Sequence, residues 1–106
     1  MAEAVAYIEQ NMKEEMRIEV LASKAYLSPS HFRKLFKETT GLSPIEYINS
    51  LRISKARQLL ENCRMSITEA AEAVGINDPN YFTKIFKADT GFTPTEYKRK
   101  FCANSI

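Results

Sequence analysis

Residues 28–47 read SPSHFRKLFKETTGLSPIEY, and residues 78–97 read DPNYFTKIFKADTGFTPTEY. At a shift of 50, ten of these twenty positions are identical, in the Pro, Phe, Lys, Phe, Lys, Thr, Gly, Pro, Glu and Tyr columns. Upstream the match continues at a shift of 49. Leu21-Ala22 pairs with Ala70-Ala71, and Ala25-Tyr26-Leu27 pairs with Val74-Gly75-Ile76. One extra residue, around Asn77, therefore lies in the second copy's turn. Two copies are too few for a solenoid and fit two similar small modules in one chain of 106 residues.

Each copy carries its own helix punctuation. All four prolines follow Ser, Thr or Asp, in Ser28-Pro29, Ser43-Pro44, Asp78-Pro79 and Thr93-Pro94. An oxygen-bearing N-cap followed by Pro at the first helical position is a helix start, because the missing proline N–H has no partner to lose there. Ser43 to Glu46, Ser66 to Glu69 and Thr93 to Glu96 have capping-box spacing. Gly41 and Gly91 stand where the helices from 28 and 78 should stop, each before an apolar residue, as a Schellman-type end requires. Helices are expected over about 3–12, 18–25, 29–40, 44–62, 67–74, 79–90 and 94–102. No segment alternates with period two, so strands are not expected.

Spacing sorts the side chains of the two strongest helices. At about 100° per residue, Phe32, Leu35 and Phe36 make one apolar stripe, and Ser30, Arg33, Lys34 and Lys37 fall opposite. In the second copy Phe82, Ile85 and Phe86 face in, while Asn80, Thr83, Lys84 and Lys87 face out. His31 and Tyr81 lie at the flank. Each module is then a short helix, a tight turn and a second helix with a cationic outer face, the layout of a helix-turn-helix. Leu21 and Ala22 are small enough for the first helix to cross the second closely. The connecting helix, about 19 residues or ~28 Å long, can hold two such modules about one B-DNA turn apart. Its apolar positions Ile48, Leu51, Ala56, Leu59 and Leu60 can bind it to both.

Composition agrees. The formal net charge of +2 conceals alternating blocks. Residues 1–27 set three basic against five acidic residues, 28–60 six against two, 61–83 one against four, and 84–106 five against two. The basic blocks contain the cationic residues of the two outer faces, Arg33, Lys34, Lys37, Lys84 and Lys87, as a polyanion footprint would, though such charges can also merely solvate a helix. No stretch approaches the ~20 apolar residues of a membrane span, and the first residues lack a signal peptide's basic start and apolar run. Cys63 and Cys102 have no metal or redox spacing. They are expected as a core or semi-buried thiol and a tail residue in a reducing, intracellular setting. No paired carboxylates, nucleophile–base set, metal cluster or phosphate loop appears. The expectation is therefore of no enzyme, with no catalytic residue, metal ligand or cofactor.

With the segments LSPSHFRKLFKETTGLSPIEY, LRISKARQLL and SITEAAEAVGINDPNYFTKIFKADTGFTPTEYKRK in view, the chain from about Val5 to Phe101 resembles the DNA-binding domain of AraC/XylS-type bacterial transcription regulators. The wording AYLSPSHFRKLFK is most similar to YesN-type response regulators. The resemblance implies an all-α domain of two helix-turn-helix subdomains, 1–43 and 63–106, joined by a linker helix, 44–62. It implies a cytoplasmic regulator whose recognition helices, about 29–40 and 79–90, enter adjacent major grooves of double-stranded promoter DNA. RNA polymerase is the implied second partner, and a regulatory or receiver domain is expected to be absent from this chain. Family base-reading positions fall on Ser30, Arg33 and Lys34, and on Asn80, Tyr81, Thr83 and Lys84.

Several positions have a plainer reading beside the functional one. Arg33 and Lys84 suit base edges or simply solvate a helix. Lys34, Lys37 and Lys87 suit phosphates, and Lys37 and Lys87 equally suit the negative end of their own helix. Tyr81 can stack near DNA or pack on the linker. Arg52, Lys55 and Arg57 read as linker surface, with Arg52 the candidate for a phosphate. The sequence departs from the family at Tyr26, where turns of this kind often have glycine, and at Ile76, where an aromatic is usual. The competing function is a protein-interaction module of the same fold that does not read DNA sequence.

Overall fold

A computed structural model describes residues 1–102. Among them are seven helices and no strand: α1 (Ala2–Gln10), α2 (Ile18–Lys24), α3 (Pro29–Thr40), α4 (Pro44–Leu60), α5 (Ile67–Ala73), α6 (Pro79–Thr90) and α7 (Pro94–Cys102). α3, α6 and α7 have the expected bounds, and the others end one or two residues early. α1 stops at Gln10, where Asn11 leaves helical geometry (φ −124°, ψ 30°) and donates both its backbone N–H and its Nδ2 to the Tyr7 carbonyl, each at 3.0 Å. α4 has 17 residues, about 26 Å, rather than 19. It ends where Asn62 turns the chain, its N–H bonded to Leu59 O and its Oδ1 accepting from Arg64 N.

The chain forms two compact units, divided within α4 between Leu51 and Arg52. In the first, α1 and α2 pack together, as do α2 and α3. The core is Ala4, Ile8, Leu21, Ala22, Phe32, Phe36 and Ile48, with Leu51 and Tyr47 packed against it. In the second, α6 packs on α5 and α7 around Ile53, Ala56, Leu60, Ala70, Ala71, Val74, Ile76, Phe82, Phe86 and Tyr97. α4 thus gives each unit part of its core. Ile53, absent from the expected apolar positions, is fully buried.

The sequence repeat is also a repeat of bonds. In the first turn Ala25 N, Tyr26 N and Leu27 N donate to Ala22 O, Ser23 O and Ala22 O. In the second, Val74 N, Gly75 N and Ile76 N donate to Ala71 O, Glu72 O and Ala71 O, the same pattern 49 residues on. Asn77 follows that pattern, so the extra residue lengthens the approach to α6 without altering the turn. Gly75 has φ +82°, and its counterpart Tyr26 takes φ +59° with its ring 90% exposed. The turn geometry overrides the side chain's preference there. Ile76 is buried, filling the place expected of an aromatic.

All three capping boxes form. Glu46, Glu69 and Glu96 accept from Ser43 N, Ser66 N and Thr93 N at 2.8–2.9 Å, and the cap hydroxyls accept from the three glutamate N–H groups. The caps' backbone bonds, and then their hydroxyls, hold the three carboxyls below the ordinary value of 4.5. The folded chain therefore favours their charged forms, so this stabilisation is complete above the unfolded-state value and is lost as pH falls through the lowered folded values. Thermal midpoints should decline below about pH 4.5, and a triple Glu46→Gln, Glu69→Gln, Glu96→Gln variant, which keeps the acceptors, should decline less steeply. Parallel pH profiles for the two proteins would contradict this.

The ends of α3 and α6 differ from the expected Schellman form. Gly41 and Gly91 are left-handed, φ +83° and +84°, and each donates its N–H to the carbonyl four residues back, at Lys37 and Lys87. This is the simpler left-handed cap. The next N–H, of Leu42 or Phe92, goes to the hydroxyl of Thr40 or Thr90, whose oxygen lies 2.8 Å from Phe36 O or Phe86 O. A Cβ at Gly91 would meet no atom within 4 Å. Gly91→Ala should therefore lose about 1–2 kcal/mol from backbone conformation alone, read by urea unfolding. An unchanged midpoint would contradict that.

Candidate nucleic-acid interface

α3 and α6 have the same construction, each within its own unit. Ser28 Oγ accepts from His31 N at the start of α3, and Asp78 Oδ1 accepts from Asn80 N and Tyr81 N at the start of α6. Phe32 and Phe36 are fully buried, 5.4 Å apart, and Phe36 meets the Tyr47 ring edge-on at 5.3 Å. Phe82, Phe86 and Tyr97 repeat this at 5.6 and 5.4 Å. Burying one such ring contributes roughly 1.5–3 kcal/mol, enough to fix which face of the helix turns outward. Burial classes match residue by residue over 31–40 and 81–90.

The outer faces follow from that anchoring. Ser30, Arg33, Lys34 and Lys37 are exposed on α3, and Asn80, Tyr81, Thr83, Lys84 and Lys87 on α6. Arg33, Lys34 and Lys84 make no hydrogen bond or ion pair with other described residues, so their charges face solvent uncommitted. Lys37 and Lys87 lie in the last turns of their helices and are felt by the Glu46 and Glu96 carboxyls. His31 is exposed at the flank of α3. No group of three or more metal-ligating side chains occurs among the described residues.

Arg52 departs from the surface reading. It is half-buried on α4, and burial pulls its guanidinium down while the Tyr81 hydroxyl acts in the opposite direction. Tyr81 is 41% exposed, so it borders Arg52 and still presents part of its ring to solvent. Neither charge nor helical spacing signals this pairing. Arg57 remains exposed and lies over the Tyr97 ring, 5.7 Å from its centroid.

The cysteines require a correction. Rather than a core or semi-buried thiol and a separate tail residue, Cys63 and Cys102 are joined in a disulfide, with Cα atoms 5.6 Å apart. The early end of α4 places Cys63 in the turn before α5, beside the last residue of α7. A separation of 39 residues carries no pairing signal in one sequence.

Comparison with known proteins places this architecture. Residues 21–100 match the helix-turn-helix domain family, and the chain belongs to it, as an AraC-type member. Family and fold are those of DNA-binding transcription regulators, not of enzymes. The regulatory protein PocR of Salmonella typhimurium (strain LT2) is 36% identical over 77 residues, which are 73% of this chain and 25% of PocR. The chain thus spans about a quarter of the length of the curated relatives it matches. The DNA-binding domain of AdpA, a global transcriptional factor solved with a target DNA, superposes with a TM-score of 0.89 at 30% identity, over 96% of this chain and 92% of that one. The C-terminal domain of the two-component response regulator YesN from Fusobacterium nucleatum subsp. nucleatum superposes with a TM-score of 0.82 at 31% identity, over 90% and 93%. No helix among the described residues is long and apolar enough to cross a membrane.

Proposed function

We propose that the chain reads double-stranded promoter DNA in a sequence-specific way, inserting α3 and α6 into adjacent major-groove segments. The observation that carries this reading is the recurrence of one exposed polar and cationic face on two identically anchored helices. In it, Ser30, Arg33 and Lys34 read one half of the site, and Asn80, Tyr81, Thr83 and Lys84 read the other. Arg33 and the lysines suit guanine edges, and Asn80 suits adenine. Lys37, Lys87 and Arg52 bind phosphates. Two adjacent grooves set a non-palindromic site of ~20 bp, and α4's length of about 26 Å is compatible with reading helices near one turn of DNA apart. The domain acts in the cytoplasm, within a regulator that also has a signal-receiving part, and touches RNA polymerase when it activates. The bound DNA in the AdpA structure and the regulator names of the relatives support this assignment.

The test is a salt series on a preferred duplex and a scrambled one. If six phosphates are neutralised, affinity should fall about 10³-fold between 50 and 200 mM salt. The preferred duplex should stay tighter throughout. A flat salt response, or equal affinity for the two duplexes, would overturn the reading.

A further inference from the structure

The disulfide stands outside the repeated framework. At a shift of 50 the counterpart of Cys102 is Arg52, and no cysteine precedes residue 63, so the first helix-turn-helix is built without such a link. In the second, the link closes a loop from 63 to 102 that contains the whole of α5, α6 and α7. α7 has only nine residues, a length at which a helix depends on its packing. It also supports the recognition helix, through Tyr97 against Phe86. Besides the disulfide, two bonds tie it to the segment after α4: Tyr97 donates its hydroxyl to Glu61 at 2.9 Å, and Lys98 donates to Met65 O at 2.6 Å.

We propose that Cys63 and Cys102 are a reversible redox modification site, whose oxidation state sets the stability of the second helix-turn-helix and hence occupancy of its half of the DNA site. The second clause rests on the DNA-reading function proposed above. Both cysteines are only partly buried, so small thiols and disulfides can reach them. Cys63 Sγ lies 3.8 Å from Glu61 O, and Cys102 Sγ lies 3.9 Å from Leu60 O. In the reduced form those carbonyls are acceptors for the two S–H groups, so neither state strands a polar group. In a cytoplasmic regulator a disulfide is characteristically transient or redox-sensing rather than structural.

The oxidant is a small-molecule disulfide. One cysteine thiolate attacks it, forming a mixed disulfide and releasing one small thiolate. The second cysteine thiolate then attacks the cysteine sulfur of that intermediate, forming the Cys63–Cys102 bond and releasing the other small thiolate. The two cysteines lose two electrons and two protons. The small disulfide gains them and leaves as two thiols.

The full chain, equilibrated in buffers of graded small-thiol to small-disulfide ratio, tests this by maleimide labelling, thermal melting and binding to a labelled duplex. Both thiols should disappear together as the buffer becomes oxidising. The oxidised chain should melt roughly 10–20 °C above the reduced one. A double Cys63→Ser, Cys102→Ser variant should melt near the reduced value in every buffer. At a temperature between the two midpoints, reduction should weaken duplex binding at least tenfold. Thiols that stay reactive in the most oxidising buffer, or a midpoint unmoved by reduction, would overturn the site. Equal duplex affinity of the two forms at that temperature would overturn its control of DNA occupancy. Absence of duplex binding in both forms would instead refute the DNA-reading function, leaving the melting data to decide the redox site.

Discussion

Replacing Phe86 with alanine should remove about 3–5 kcal/mol of stability, measured by urea unfolding. Phe86 is fully buried in the second core, tilted against Phe82 and edge-on to Tyr97. Its carbonyl also accepts from the Thr90 hydroxyl beside the Gly91 cap. Truncation leaves a cavity lined by side chains from α6 and α7, whose backbones are fixed by caps at their starts. Those anchors limit how far the site can collapse, which places the cost in the upper part of the range for large core side chains. Total stabilities of small domains are about 5–15 kcal/mol, so the loss is a large fraction of what holds this chain folded. Phe36→Ala should act similarly in the first unit, where Phe36 meets Phe32 and Tyr47 in the same way. A loss under about 1 kcal/mol at either position would mean that the phenylalanine pairs do not set the face each helix presents.

The second large effect concerns binding. Arg33→Ala and Lys84→Ala should each cost about 1–3 kcal/mol on a preferred duplex and relax base preference in opposite halves of the site. The residues belong to separate units, so the double variant should lose about the sum, ~2–6 kcal/mol. Both side chains are exposed and uncommitted, so neither change should move the melting midpoint by more than about 0.5 kcal/mol in stability. A uniform loss on every sequence, with preference intact, would demote the residue to a phosphate contact.

Much of this was legible in the chain itself, for identifiable reasons. Proline after an oxygen-bearing residue, glutamate three residues past a cap and glycine before an apolar residue all act within one turn, so α3, α6 and α7 have the expected bounds. The outer faces of α3 and α6 follow from helical spacing alone, because two phenylalanines four apart leave one solvent side. The ends of α1 and α4 depend instead on single asparagines, Asn11 and Asn62, whose side-chain bonds no periodicity reveals. Arg52 against Tyr81 and Cys63 against Cys102 join residues 29 and 39 apart along the chain. Such pairings are set by how helices pack. The repeat could not anticipate the disulfide, since the first copy has no cysteine in either place.

Whether two helices of one chain read two different halves of a DNA site is decided by selecting bound sequences from a random duplex library. The wild-type chain, Arg33→Ala and Lys84→Ala should be run side by side. The expected result is a non-palindromic consensus of ~20 bp with two informative segments about one helical turn apart, one blurred by Arg33→Ala and the other by Lys84→Ala. A library that emerges without any consensus, or a single segment blurred alike by both substitutions, would contradict it.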